Sequence, residues 1–255
     1  MDLGLAGKRV LVTGSTKGLG RAVAEVMVAE GASVAIGART ASDVDAAVAE
    51  LSASTVGGAS VVGSVLDASD EGSVRGWVES SIAALGGCDV FVHNTSGKPA
   101  RKLEGWINNF NVDLMSLVCG VDAAKGALVD GGGVVISIGT TAVVEHFASG
   151  SGSYSALKAA VTNWTLGQAQ VLGAQGVRCN VVQPGPIFVE GGDWDMIKQN
   201  MGAFFEATEA AHPGKAMGQP EDVAWTVAFL ASDRARHING VNLTVDGGFL
   251  KRVNW

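Results

Sequence analysis

Thr13-Gly14-Ser15-Thr16-Lys17-Gly18-Leu19-Gly20 follows the apolar run Arg9-Val10-Leu11-Val12 and precedes residues 21–30, where Val23, Met27 and Val28 recur at helical spacing. The order predicts a buried strand, a glycine turn and a helix. That arrangement presents backbone N–H groups and the positive end of a helix dipole to a phosphate. Gly14 lets the strand turn sharply, Gly18 removes a side chain where a pyrophosphate would approach, and Gly20 lets the helix pack close to a sheet. The spacing is G-x-x-x-G-x-G rather than G-x-G-x-x-G, and in isolation an ordinary glycine turn reads the same way.

Outward from this turn, strand-like apolar runs alternate with helix-period segments. Residues 33–36, 60–62, 89–92, 134–138, 177–182 and 242–245 read as six further strands. Residues 43–51, 74–85, 108–128, 153–172 and 223–230 read as helices, the last opened by Pro220-Glu221-Asp222. Near-continuous apolar strands alternating with helices predict an α/β fold, a doubly wound parallel sheet with helices on both faces. Such sheets take ligands beyond the carboxyl ends of their strands. Those ends are Gly14, Ala38/Arg39, Asp67, Asn94, Gly139/Thr140 and Pro184/Gly185. No repeat or linker divides the chain, so 1–255 reads as one domain. Its long interruption, 185–218, carries Trp194, Met196, Met201, Phe204 and Phe205 and is expected to be a mobile apolar lid, with a plain surface insertion as the alternative.

Composition narrows the function classes. The chain has 255 residues, 47% hydrophobic and 17% charged, enough for a sizeable core. A formal net charge of −7 argues against a nucleic-acid or anionic-membrane surface. Lys98, Arg101 and Lys102 form the one local basic cluster, read as a solvated loop, with attraction of an anionic substrate as the alternative. Cys88, Cys119 and Cys179 are far apart and lack metal spacing, which suits a reducing compartment and no bound metal. With no signal pattern and no apolar run of spanning length, the expectation is a cytoplasmic protein with no membrane partner.

Tyr154 is the only tyrosine, and Lys158 follows it by four residues at the start of a helix, so both project from one face. A phenol titrates near 10 and is a poor base at neutral pH. A neighbouring ammonium and a helix N-terminus favour the phenolate, and are expected to pull Tyr154 below its ordinary value and make it a general acid–base for a carbonyl/alcohol pair. Thr140 and Thr141, just past a strand end, carry hydroxyls suited to a substrate oxygen or to a turn.

The combination is more specific than its parts. Thr13-Gly14-x-x-x-Gly18-x-Gly20, Asp67, Asn94, Asn111, Tyr154-Ser155-Ala156-Leu157-Lys158, Asn180-x-x-x-Pro184-Gly185 and Val245-Asp246-Gly247-Gly248 occur in one order. With these motifs the chain resembles the short-chain dehydrogenase/reductase family in its small single-domain form, 3-oxoacyl-carrier-protein reductase-like members included. The resemblance implies a seven-stranded Rossmann-type sheet, a nicotinamide cofactor and a homotetramer or homodimer. It implies that Tyr154 moves the proton and that Lys158 assists it and holds the nicotinamide ribose. It further implies that Asn111 anchors a water in the proton relay, that Asp67 meets the adenine, and that Pro184-Gly185-Pro186-Ile187 lines the nicotinamide. Ser15, Thr16, Leu19, Thr40 and Ala68 complete the expected cofactor contacts.

Three departures from the family pattern stand out. His93-Asn94-Thr95-Ser96 replaces Asn-Asn-Ala-Gly, so only Asn94 carries over and His93 reads as a strand-end structural residue. The family's serine is missing: strand alignment puts Thr140 there, whereas spacing to Tyr154 favours Thr141. Val189 stands where a threonine commonly bonds the carboxamide. Cofactor choice is read at the second strand's end. Ala38 offers no carboxylate to the adenosine ribose, while Arg39 and Lys17 suit a 2′-phosphate, which predicts NADP(H). The expected function is hydride exchange between NADP(H) and a small carbonyl or secondary-alcohol substrate, apolar or aromatic given Trp106, His146-Phe147, Trp194, Phe204 and Phe205. A non-catalytic nucleotide sensor on the same fold is the rival.

Overall fold

The computed structural model describes residues 2–145 and 152–252. Seven strands form one sheet: β1 (Arg9–Thr13), β2 (Ser33–Ala38), β3 (Val61–Val65), β4 (Val90–His93), β5 (Val134–Ile138), β6 (Arg178–Pro184) and β7 (Asn242–Val245). Their order is β3-β2-β1-β4-β5-β6-β7 and every pairing is parallel. Strands β1, β4, β5 and β6 are buried along nearly their whole length, which is why they read as unbroken apolar runs. The winding direction reverses between β1 and β4, and a crevice opens at that switch point.

Helices α1 (Gly18–Ala29), α2 (Ala41–Ser52), α3 (Glu71–Leu85), α4 (Leu103–Asn109), α5 (Ser116–Gly131), α6 (Ser153–Val171), α7 (Asp193–Asn200), α8 (Gly202–Ala211) and α9 (Pro220–Ala231) complete the chain. Helices α1, α2 and α9 cover one face, packing Val23, Met27, Leu51 and Val227 on Val12 and Ile36. Helices α3, α5 and α6 cover the other, packing Trp77, Leu117 and Val161 on Leu11, Phe91 and Val135. All three cysteines are buried in this second core. Burial pushes the Cys88 and Cys179 thiols up to about 12, so both are inert thiols at neutral pH.

Local chemistry sets the ends of the elements. The Asp70 carboxylate caps α3 by accepting from Ser73 N at 2.7 Å, and α3 and α5 stop at Gly86 and Gly132 in the left-handed region. At α9, Asp222 reaches back to accept from Gln219 N at 2.8 Å. Ahead of β4, Asp89 accepts from Arg9 Nε at 2.7 Å, Arg9 Nη2 at 2.8 Å and Arg9 N at 2.8 Å, a two-pronged clamp joining the entry ends of β1 and β4.

Two segments differ from the sequence expectation. The single helix expected over 108–128 is divided: α4 ends at Asn109, a π-helical turn runs over Phe110–Met115, and α5 follows. The insertion at 185–218 is built from α7 and α8 and closed at its base by a parallel bridge between Ile187 and Gly218. Phe188 N donates to Gly218 O at 2.9 Å and Gly218 N to Pro186 O at 3.1 Å. Among the described residues no helix is long and apolar enough to cross a membrane, and no cluster of His, Cys, Asp and Glu is grouped to hold a metal.

Candidate active site

The glycine turn is held from three sides. Gly14 and Gly18 stand at φ +62° and +59°, a region that favours glycine. A Cβ on Gly20 would strike the Gly14 carbonyl and the Asn94 carboxamide, so only glycine lets α1 come this close. Ser15 is buried; its Oγ donates to Val12 O at 2.7 Å and accepts from Gly37 N at 3.0 Å, so it fixes the turn against β2 instead of facing the crevice. Asn94 Nδ2 donates to Gly14 O at 2.9 Å and Thr13 O at 3.3 Å, and Asn94 N donates to Thr13 Oγ1 at 2.9 Å. No side chain caps the start of α1, which leaves its first N–H groups for a ligand.

At the end of β2, Ala38 is half-buried, and Arg39 and Thr40 are exposed. Lys17 pairs with Asp43 at 2.9 Å, so it is already engaged on the surface of α2. Asp67 accepts from Ser69 Oγ at 2.7 Å and Ser69 N at 2.9 Å. Those bonds, first the hydroxyl's, hold its carboxyl below the usual range against the opposing effect of burial, with Arg39 adding to the fall.

At the far side of the crevice, α6 delivers Tyr154 and Lys158. Lys158 Nζ donates to Ile138 O at 3.0 Å and Thr95 O at 3.2 Å, and lies 3.6 Å from Asp113 Oδ1, both side chains having almost no solvent contact. Asp113 sits in the π-helical turn. Its Oδ1 also accepts from Gly97 N at 3.2 Å, while its buried Oδ2 has no hydrogen-bond partner. Burial lowers Lys158 and raises Asp113, and each charge works against the shift of the other.

Burial pushes the Tyr154 phenol above its ordinary value of 10; a hydrogen bond with Thr140 opposes the rise, and Asp113 and Asp193 add to it. The expected fall below the ordinary value is therefore not what the structure shows, because burial dominates and the Lys158 charge has Asp113 beside it. Behind Lys158, His93 Nε2 lies 2.8 Å from Ser116 Oγ and 3.0 Å from Thr95 Oγ1. Burial, assisted by the Lys158 charge, drives His93 well below 6.5, so it is neutral.

One cavity of about 1520 Å³ joins the two regions. Gly14, Thr16, Gly18, Leu19, Arg39 and Asp67 line one end; Asn109, Thr140, Tyr154, Lys158 and Trp194 line the other. Trp194 stacks on Phe204 with centroids 5.9 Å apart, and Phe205 is buried against Phe188 and Trp194. Lys98 meets Asp193 at 2.7 Å, linking the loop after β4 to the start of α7.

A strand–glycine–helix cradle, a Tyr154/Lys158 pair and a seven-stranded parallel sheet thus lie in one molecule. A family model described as enoyl-(acyl carrier protein) reductase matches residues 14–250. The chain belongs to the short-chain dehydrogenase/reductase family. It is 32% identical over 250 residues to isoepoxydon dehydrogenase patN of Penicillium expansum, covering 97% of this chain and 96% of that protein. A short-chain dehydrogenase from Burkholderia cenocepacia solved in complex with NADP superposes with TM-score 0.87 at 33% identity, covering 96% of this chain and 98% of that one. L-sorbose reductase from Gluconobacter frateurii, complexed with NADPH and L-sorbose, superposes with TM-score 0.90 at 27% identity, covering 99% and 100%.

As a short-chain dehydrogenase/reductase the chain is an oxidoreductase. Its structure brings most of the residues singled out in the sequence to one cavity wall, including Ala38, Ala68, Asn94, Pro184, Gly185, Ile187 and Val189. Ser15, Gly20, Thr40, Asn111 and Thr141 are not on that wall. Asn111 shares no hydrogen bond with Lys158 among the described residues; the π-helical turn brings Asp113, two residues on, against the ammonium instead. Of the two threonines, Thr140 faces Tyr154, and Thr141 is buried at the start of a 3-10 turn. Of the aromatic residues expected at the substrate, Trp194 lines the cavity; Trp106, Phe204 and Phe205 do not, and Phe205 is core to the insertion itself. His146 and Phe147 lie outside the described residues.

Proposed function

We propose that this protein is an NADP(H)-dependent enzyme that moves hydride between nicotinamide and a carbonyl or secondary-alcohol carbon of a small, largely apolar substrate. The observation that carries the reading is the convergence of Tyr154, Thr140 and Lys158 on the cavity whose other end is the glycine turn. The residues present fit a dinucleotide: glycines without side chains at positions 14 and 18, an uncapped helix start, and the Asp67 turn beyond β3. The NADP and NADPH complexes of the neighbouring structures support the same choice.

When bound, the nicotinamide supplies or takes the hydride. Lys158 would hold its ribose, and Pro184, Gly185, Ile187 and Val189 would line its ring. The Tyr154 phenol donates a proton to the carbonyl oxygen in reduction and takes it back in oxidation. Its burial favours the protonated form, which reduction requires. The Thr140 hydroxyl steadies the same oxygen, and Trp194 and the helices of the insertion exclude water above it. We read 1–255 as one catalytic domain with 185–218 as its lid, working in the cytoplasm as a homodimer or homotetramer. Exposed Trp225 on α9 and Leu243 on β7 are apolar surface that such an assembly would cover. The sensor reading leaves Tyr154 at the cavity without a task.

Cofactor choice rests mainly on Arg39. Ala38 cannot repel a 2′-phosphate, and Lys17 must leave Asp43 to reach one. A charge-assisted bond contributes roughly 1.5–3 kcal/mol before solvent screening, so NADPH should exceed NADH by about tenfold or more in kcat/KM. The test is oxidation of each cofactor over a panel of cyclic, aryl and aliphatic ketones. Arg39→Ala should weaken NADPH alone, and Tyr154→Phe should lose about 10²–10⁴ in kcat. Equal use of NADH would remove Arg39 from the phosphate, and wild-type turnover by Tyr154→Phe would overturn the mechanism.

A further inference from the structure

The Asp113–Lys158 pair has no counterpart in the sequence reading of the site. Asp113 is completely buried and does not line the cavity, whereas Lys158 does. The carboxylate meets Lys158 from the back, 3.6 Å from Nζ, with one oxygen fixed by Gly97 N and the other without a partner. A buried carboxylate is costly unless a cation or donors compensate it. Asp113 has the Gly97 N–H and the Ser96 hydroxyl as neutral donors and Lys158 as its one cation, so compensation of its charge depends on a proton staying on Lys158.

We propose that Asp113 is a positioning residue for the proton chemistry of this site: its buried carboxylate retains the proton on the Lys158–Tyr154 pair and thereby carries carbonyl reduction to higher pH. This rests on the reading of Tyr154 as proton donor. The groups facing the pair are few. Asp113 comes from the π-helical turn, His93 from β4, and Asp193 from the start of α7 toward Tyr154. Neighbours on α4 and α5 are the uncharged Asn109 and Ser116. His93 is held neutral, so Asp113 is the charge nearest to Lys158.

The sign of the effect follows from electrostatics. Removing a negative charge lowers the proton affinity of every neighbouring group. If Lys158 stays charged without Asp113, Tyr154 loses its proton at lower pH. If burial wins, Lys158 becomes the amine at lower pH, and Tyr154 loses there the ammonium that eases release of its proton to substrate. Either way the alkaline limb of reduction moves down.

The experiment uses the full chain with NADPH and a ketone that the wild type turns over. Rate is measured from about pH 6 to 10 for wild type, Asp113→Asn and Asp113→Glu, with near-UV circular dichroism to confirm folding. Asp113→Asn should move the alkaline limb of kcat down by at least about one pH unit. Its deficit should then grow with pH across the limb and approach about tenfold above the wild-type limb, and Asp113→Glu should return the limb toward wild type. An unmoved limb, or an equal loss at every pH, overturns the proposal. Should Asp113→Asn fail to fold, the wild type decides by NMR of isotope-labelled lysine side chains: Lys158 charged up to the limb supports the proposal, and Lys158 neutral at pH 7 overturns it. Tyr154→Phe in the same assay separates the two readings. If it is inactive while the Asp113→Asn limb is unmoved, Asp113 alone is wrong; if it is active, the Tyr154 reading fails first.

Discussion

The Asn94 carboxamide donates to the carbonyl oxygen of Gly14 at 2.9 Å, so the end of β4 grips the turn that leaves β1. The two strands are neighbours at the switch point, where open parallel sheets take their ligands. Asn94→Ala removes that bond and the longer one to Thr13 O. A net loss of about 1–2 kcal/mol in stability is expected, with weaker NADPH binding because the glycine turn is no longer fixed. Thermal melting and a fluorescence titration with NADPH check both. An unchanged melting temperature and Kd would mean that Ser15 and α1 hold the turn alone.

The two threonines after β5 are expected to behave differently. Thr140 faces Tyr154, whereas Thr141 is buried in the turn that follows. Thr140→Val should lower kcat by about 10- to 100-fold, and Thr140→Ser should recover most of it. The serine control matters because Thr140 Oγ1 also accepts from Ala142 N at 3.2 Å. Thr141→Val should leave kcat within about threefold of wild type, as its hydroxyl does not reach the cavity. The reverse order would transfer the role to Thr141.

The Arg9–Asp89 clamp makes stability depend on acid pH. Burial alone would raise the Asp89 carboxyl, but the hydrogen bonds and charge of Arg9 outweigh it and hold the group below its usual range. A depressed folded-state value contributes stability above the unfolded value, near 3.9, and loses it as pH falls through the folded one. Asp89→Asn should therefore cost about 1.5–3 kcal/mol at pH 7, and the gap to wild type should close below about pH 4. Urea melts across that range measure it. A gap that is constant with pH would show that the clamp acts through shape alone.

The glycine turn was legible in the sequence because few residues other than glycine tolerate positive φ at 14 and 18, or the crowding at 20. The sheet was legible because strands buried on both faces leave uninterrupted apolar runs. The break at 110–115 was hidden, since a π-helical turn adds one residue without changing the composition around it. That break decides which side chain meets Lys158. The motif points to Asn111, and Asp113, two positions on, is the side chain that meets Lys158 directly. A signal did exist: Asp113 precedes buried Leu117 and Gly120 by four and seven residues, so a carboxylate stands in an apolar stripe. The engagement of Lys17 is not visible in the sequence because its partner Asp43 is 26 positions away in the chain. Helix α7 of the insertion is not legible because it buries none of its residues and so shows no core-facing pattern.

The bridge between Ile187 and Gly218 has an evolutionary consequence. A segment whose two ends are fastened to each other at the rim of the sheet is a replaceable cassette. Mutation or exchange of residues 190–217 can remodel the part of the cavity wall that Trp194 supplies, while Pro184, Gly185, Ile187 and Val189 keep their places. Substrate preference in this architecture can drift quickly on a chemistry that stays put, and grafting that cassette from a relative is the shortest route to a new preference by engineering.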